Sequence, residues 1–123
     1  MWLFLLSSLL AVPVPPAVVG LLDGYRAAGA VPNAAAGRAA WTREVAGEDG
    51  PRSCSTCHTA DPRAAGRHRT TGEPLDSLVP SVNGNALTDP AKIEKWFGRN
   101  CRWAWGRECT PQEKADFLSY LVQ

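Results

Sequence analysis

Cys54-Ser55-Thr56-Cys57-His58 is the most informative stretch of this 123-residue chain. Its C-x-x-C-H spacing is the attachment signature of c-type haem. Two thiols at this spacing can each form a thioether to one haem vinyl group, and the adjacent histidine then becomes the proximal iron ligand. We therefore predict one covalently attached haem c, with Cys54 and Cys57 as the attachment residues and His58 as an iron ligand.

Two other kinds of site also use a C-x-x-C pair. A thioredoxin-like redox centre needs a βαβ setting, and no strand-like alternation surrounds Cys54. A zinc site needs further ligands, and the eight-residue spacing of Cys101 and Cys109 is not the short knuckle of a zinc ribbon. Both alternatives rank well below haem c.

The N-terminus predicts export. Residues 1–22 carry no charged side chain, and residues 2–12 are mostly apolar before a run of prolines. This segment is shorter than the roughly 20 residues that a membrane-spanning helix needs. Its length suits a secretory signal peptide, although the usual basic residues before it are missing. We predict a signal peptide over residues 1–17, a haem domain over 18–123 and a periplasmic location; an apolar arm packed on the domain is the alternative.

Length and charge limit the remaining possibilities. The 13 Lys and Arg residues balance 12 Asp and Glu residues, so the formal net charge is +1. Such a balance gives no electrostatic footprint for nucleic acid, and we expect no nucleic-acid partner. The length allows one domain.

Helix signals predict an all-α chain of short helices and long loops. A first helix is expected over residues 18–26, and a second over 34–46 with Asn33 as its N-cap. The long segment 59–88 has turn signals but no strong helix or strand pattern. A loop of this length needs something to wrap around, and a haem would serve.

Two later helices have explicit start signals. Asp89-Pro90 reads as an N-cap followed by proline at the first helical position, and Gly98 is the expected end of that helix. Thr110 and Glu113 form a capping box that opens a terminal helix. The apolar face of this helix comprises Phe117, Tyr120 and Leu121.

The second axial iron ligand is not the usual one. The only methionine is Met1, which argues against the His/Met pair of many electron-transfer cytochromes. His68 lies between two arginines that suit solvent or the haem propionates better than a buried ligand. The open candidates are His68, Lys92, Lys95, Lys114, Tyr25, an asparagine or a vacant position.

The C-terminal third resembles the SHP-type monohaem cytochromes c. The resemblance is carried by E-K-W-F-G-R-N-C over 94–101, G-R-E-C-T-P over 106–111, E-K-A-D over 113–116, and shorter matches at 24–25, 37–39 and 54–58. It implies a class I cytochrome c fold, with Asn100 as the distal iron ligand. The two remaining cysteines suggest a disulfide in an oxidising compartment, and the resemblance also pairs Cys101 with Cys109, closing a loop over 102–108.

The same resemblance implies a function. These proteins bind oxygen and work with other c-type cytochromes and membrane b-type cytochromes. An amide oxygen is a hard donor that suits ferric iron better than ferrous iron. On reduction Asn100 is therefore expected to swing away and leave a position for O2, NO or CO. The second possibility is a plain electron carrier whose haem stays six-coordinate in both oxidation states. The third is an enzyme that acts on oxygen or nitrogen oxides. We expect that the protein is not an enzyme.

Two structural expectations complete the prediction. By resemblance, the N- and C-terminal helices cross, so that Gly37 and Trp41 meet the apolar face of the terminal helix. Trp103 and Trp105 are not part of the family signature, and they lie close to Asn100 in sequence. They are expected either to narrow the ligand pocket or simply to pack the loop.

Overall fold

The structure is a computed structural model that describes residues 13–123. In these residues the chain forms helices and two short antiparallel ribbons. The helices are α1 (Pro16–Ala27), α2 (Ala34–Trp41), α3 (Ser55–His58), α4 (Pro90–Trp105) and α5 (Pro111–Leu121). The ribbons pair β1 (Val45–Gly47) with β2 (Gly50–Arg52), and β3 (Gly66–Arg67) with β4 (Pro74–Leu75).

The predicted signal peptide lies mostly outside the described residues. The part that the structure covers contains the start of α1 at Pro16, so cleavage after Ala17 would remove two residues of this helix. The signal peptide and its boundary therefore stay predictions. In the described part of the chain, no helix is long and apolar enough to cross a membrane.

Helix α2 is shorter than the sequence predicted. Asn33 caps it as expected, since its side chain accepts a hydrogen bond from the Ala36 backbone N–H at 3.0 Å. The helix ends at Trp41 instead of continuing to residue 46. Thr42 and Val45 are β-branched and weak helix formers, and residues 45–47 pair with β2 instead.

Helix α4 is longer than predicted, and Gly98 does not end it. The helix continues to Trp105 and stops at Gly106, which adopts a left-handed φ of 70°. An interior glycine costs about 1 kcal/mol. The buried residues beyond Gly98, Cys101, Ala104 and Trp105, outweigh this cost. Residues 102–105, predicted as loop, are therefore helical.

Helix α5 begins and packs as predicted. The Thr110 hydroxyl accepts from the Glu113 backbone N–H at 3.2 Å, and the Glu113 carboxylate accepts from the Thr110 backbone N–H at 2.9 Å. The helix crosses α2 so closely that a Cβ at Gly37 would overlap the carbonyl oxygen of Asp116 and lie 3.0 Å from the Tyr120 Cβ. The predicted crossing of α2 and α5 is confirmed.

The core forms two connected groups of side chains. One lies between α2, the C-terminal half of α4 and α5, and the other lies between α1, α4 and α5. Leu118 and Val18 are completely buried in the second group. Phe97 packs against both groups, so α4 joins the whole helical frame.

Candidate haem-binding site

The C-x-x-C-H motif forms a single helical turn. Cys54 precedes α3, and the His58 backbone N–H donates to the Cys54 carbonyl oxygen at 3.3 Å. Ser53 closes the start of the turn, because its backbone N–H donates to the Thr56 hydroxyl at 3.0 Å. Residues three apart on a helical turn share one side. Cys54 and Cys57 are both free thiols and half-buried.

His58 lies in an apolar environment built by α2. Its ring centroid is 5.8 Å from that of Trp41, at an interplanar angle of 45°. The Trp41 indole N–H donates to the Thr59 carbonyl oxygen at 2.9 Å, which ties the residue after the motif to α2. Burial lowers the pKa of His58, so the imidazole is neutral at pH 7. The neutral form is the one that ligates a metal.

The Cys54 thiol is also shaped by burial. Burial raises its pKa to about 11, although the nearby Arg43 guanidinium offsets part of this effect. A thiol with a raised pKa is a poor nucleophile, unlike the acidic cysteine of a thioredoxin-type centre. The thioredoxin-like alternative is therefore weakened by the raised pKa of Cys54 and by the lack of a βαβ unit in residues 13–123.

A glycine forms the floor of the motif. Gly66, the first residue of β3, packs directly on the motif backbone. A Cβ at this position would overlap the carbonyl oxygen of Cys57 and lie 2.9 Å from the Cα of His58. Only glycine allows β3 to approach the turn this closely. Gly66 carries no signal of this role in the sequence, since the contact bridges two segments of an irregular loop.

Replacing Gly66 with alanine is therefore expected to displace the motif. We expect a loss of about 2 kcal/mol in the free energy of unfolding, because the added methyl group meets backbone that cannot rotate away. The fraction of protein that carries covalent haem should fall with it. Denaturant unfolding and the Soret absorbance per protein measure the two effects.

Gly84→Ala is the matched control, since a Cβ at Gly84 meets nothing within 4 Å. Equal stability and equal haem content in the two variants would contradict the role assigned to Gly66.

Asn100 lies on α4 next to the disulfide. Cys101 is bonded to Cys109 with their Cα atoms 5.7 Å apart, which confirms the predicted pairing. Asn100 itself is exposed, and its side chain has no hydrogen-bond partner among residues 13–123.

Two tryptophans flank Asn100, but only one of them was expected. Trp103 follows it by three residues and Trp96 precedes it by four, so both lie beside it on α4. Trp105 instead points into the core, with its ring 5.5 Å from that of Phe117. Of the two alternatives for Trp105, the structure therefore favours packing over a narrowed ligand pocket, because α4 continues past Gly98 and turns Trp105 towards the core.

Trp103 is held in place by Arg52 of β2, in the first ribbon. The Arg52 guanidinium lies 4.7 Å from the centre of the Trp103 ring and also donates to the Trp103 carbonyl oxygen at 3.4 Å. Arg52 is two residues before Cys54. This contact connects the part of α4 that carries Asn100 with the strand that leads into the C-x-x-C-H turn.

The other candidate iron ligands lie on the surface or belong to other hydrogen-bonded groups. His68 is exposed, and its Nδ1 accepts hydrogen bonds from the backbone N–H groups of Thr70 and Thr71, each at 3.2 Å. Its ring is part of a local turn. Lys92 and Lys95 are exposed on the outer face of α4.

Tyr25 and Lys114 belong to a separate cluster around Glu94. The Tyr25 hydroxyl donates to one oxygen of Glu94, and the Lys114 ammonium lies 2.9 Å from the other. Burial and the neighbouring Glu94 raise the pKa of Tyr25. Burial disfavours ionised Glu94, but the hydrogen bonds from Tyr25 and Lys114 outweigh it and lower the pKa of Glu94. This cluster joins α1, α4 and α5 and serves the helical frame.

The donor set fits a haem c. Two thiols and a neutral imidazole lie on one turn over a glycine floor, which suits covalent attachment and one axial bond. Within the described residues, no group of three His, Cys, Asp or Glu side chains converges to hold a metal ion by itself. The zinc alternative therefore has no set of ligands in this part of the chain.

Comparison with known proteins agrees with this interpretation. Residues 27–121 match a family model described as a domain of unknown function, DUF1924. The chain is 43% identical over 127 aligned positions to the cytochrome c-type protein SHP of Cereibacter sphaeroides, covering 97% of this chain and 96% of that protein. It is 39% identical over 70 positions to cytochrome c'' of Methylophilus methylotrophus, covering 57% of this chain and 49% of that protein.

Solved structures show the same fold. Oxidized SHP, an oxygen-binding cytochrome c, superposes with a TM-score of 0.78 at 45% identity over 85% of this chain and 95% of its own. Oxidized cytochrome c'' from Methylophilus methylotrophus superposes with a TM-score of 0.77 at 29% identity, covering 87% of this chain and 94% of its own. The predicted all-α, cytochrome c-like fold is confirmed, with short ribbons added in the loops.

Proposed function

Because this chain belongs to the family of SHP-type cytochromes c, and is thus a monohaem c-type cytochrome, we propose that its iron opens on reduction to bind a small diatomic ligand. The cofactor is one covalently bound haem c. In this proposal Cys54 and Cys57 form the thioethers, His58 is the proximal ligand and Asn100 is the distal ligand. The observation that carries it is the exposed Asn100 amide on α4, which has no hydrogen-bond partner within residues 13–123, in a chain whose only methionine is Met1.

The surroundings of Asn100 support a ligand that moves. When bound, the haem iron supplies a one-electron redox centre and an exchangeable coordination position. The Asn100 amide oxygen is a hard donor, so its affinity for the iron falls on reduction. Cys101, the residue after Asn100, forms a disulfide with Cys109. This bond restrains the backbone, so the movement on reduction is confined to the Asn100 side chain.

The proximal side supports a fixed bond. His58 is neutral, half-buried and packed against Trp41, which itself is anchored to the Thr59 carbonyl oxygen. A ligand whose ring is held by packing keeps its orientation in both oxidation states. His58 thus holds its position while Asn100 exchanges.

Export and partners complete the proposal. The Cys101–Cys109 disulfide favours an oxidising compartment. We accordingly place the haem domain, residues 18–123, in the periplasm after removal of a signal peptide over residues 1–17. Its redox partners would be other c-type cytochromes and a membrane b-type cytochrome, and its ligands O2, NO or CO. It would act as a carrier and gas-binding protein, with no turnover of its own.

Absorption spectra of the holoprotein test this proposal. The ferric form should be six-coordinate, whereas the ferrous form should become five-coordinate and take up CO. His68→Ala should leave all three spectra unchanged, because His68 belongs to a surface turn. A ferrous protein that remains six-coordinate and low-spin and takes up no CO would show the plain electron carrier instead.

A further inference from the structure

The outer face of α4 carries a row of exposed cations. Lys92, Lys95, Arg99 and Arg102 recur every three or four residues and therefore line one side of the helix. Among the residues that the structure describes, none of these four forms an ion pair. We call this row the basic face.

Most of the other cations in the described residues form ion pairs. Two guanidinium groups, Arg43 and Arg107, share the Glu113 carboxylate at 3.2 and 2.8 Å. Arg52 and Arg69 likewise lie 2.8 and 3.8 Å from Asp49. The formal net charge is only +1. The basic face is therefore a local concentration of charge, which orients a charged partner more than it attracts polyanions in general.

An exposed tryptophan lies within this charged surface. Trp96 is 52% exposed, and the Arg99 guanidinium lies 5.7 Å from the centre of its ring. Tryptophan and arginine are the residues most enriched at the energetic centres of protein interfaces. A cavity of about 330 Å³ opens beside them, lined in part by Lys95, Arg102 and Glu108.

The basic face is also close to the proposed iron ligand. Trp96 is four residues before Asn100, one turn away on the same helix. A protein bound at Trp96 would therefore be held against the helix that carries the distal ligand.

We propose that Trp96 and the basic face form the docking surface for an acidic redox protein. The donor loses one electron and the ferric iron gains it. This inference rests on the redox function proposed above.

The chemistry of the surface favours a protein over a membrane. An interfacial helix buries a continuous apolar face in the lipid. The outer face of α4 offers a single aromatic residue among four cations. One aromatic anchor surrounded by charge matches a protein interface with a small desolvated centre and a polar rim.

Reduction by flavodoxin hydroquinone, an acidic one-electron donor, tests the inference. The holoprotein is mixed with the donor at low ionic strength, and haem reduction is followed by stopped flow. Lys95→Glu/Arg99→Glu is expected to lower the second-order rate constant by about 10-fold and to remove most of its salt dependence. The control variant Arg26→Glu/Arg38→Glu makes the same change of net charge, but on α1 and α2. Its rate constant should change less than 2-fold, because charges far from the docking surface are screened by salt.

Binding and chemistry are separated by three further measurements. Calorimetric titration with oxidised flavodoxin should show weaker binding for the Lys95→Glu/Arg99→Glu variant and for Trp96→Ala. Reduction by an uncharged hydroquinone should be equal in the wild type, the Lys95→Glu/Arg99→Glu variant and its control, which shows that the haem itself is unchanged. CO uptake by these three proteins should also be equal.

Two results would overturn the inference. One is equal flavodoxin binding and reduction for the basic-face variant and its control. The other is wild-type protein that binds phosphatidylglycerol vesicles through the basic face but not flavodoxin, which would assign the surface to a membrane. A ferrous protein that takes up no CO would refute the proposed gas binding alone, because the flavodoxin measurements do not depend on it.

Discussion

Asn100→His is expected to keep the haem six-coordinate in both oxidation states and to abolish ready CO uptake. Imidazole binds ferric and ferrous iron alike, whereas an amide oxygen favours the ferric state. If the open form falls to about 1% of the ferrous protein, the apparent CO affinity falls about 100-fold. The ferrous spectrum and a CO titration measure both changes.

A second substitution at position 100, which removes the proposed ligand without supplying another, provides an independent test. Asn100→Ala removes the proposed ligand, so the ferric protein should lose its six-coordinate protein-ligated spectrum while ferrous CO uptake remains. Asn85→His places an imidazole on an exposed loop residue and should leave every spectrum as in the wild type. Far-UV circular dichroism and haem content show that each variant is folded. Wild-type spectra in both Asn100 variants would mean that Asn100 is not an iron ligand.

Gly37→Val is expected to lower the free energy of unfolding by about 3 kcal/mol, the upper end of the usual cost of overpacking. A Cβ at Gly37 overlaps the Asp116 carbonyl oxygen and lies 3.0 Å from the Tyr120 Cβ. The Asp116 carbonyl is part of the α5 backbone and cannot rotate away, so the helices must separate. Separation would also loosen Trp41, which packs against both Tyr120 and His58.

The matched control for this substitution is Gly20→Val. Gly20 is also a helical glycine, in α1, but a Cβ there meets nothing within 4 Å. The two variants share the same change in side chain, so their difference isolates the helix crossing. Guanidinium unfolding of both proteins measures it, and a Gly37→Val protein as stable as Gly20→Val would contradict the packing described here.

Local signals in the sequence were sufficient for several elements. The caps at Asn33, Asp89 and Thr110 depend on side chains that bond to backbone within three residues, and all three form. The C-x-x-C-H motif is local too, because its spacing places two thiols and a histidine on one turn whatever surrounds it. Such features were predictable because their partners are neighbours in the chain.

The features that were predicted wrongly or missed depend on contacts between residues that are distant along the chain. The end of α4 was misjudged because the cost of Gly98 is local, whereas the burial of Cys101 and Trp105 against α5 is not. Gly66 was missed for the same reason, since its partner is the backbone of Cys57. Trp96 was recognised only as part of a family motif, and its exposure beside Arg99 depends on how α4 packs.

Residue identity and short spacing were enough to identify the attachment motif, the family and the lack of any methionine beyond Met1 to ligate the iron. Which face of α4 is buried depends on tertiary packing, and with it which tryptophans stand beside Asn100 and which cations stay exposed. Burial against distant segments offsets local helix propensities, and no spacing along the chain encodes that balance.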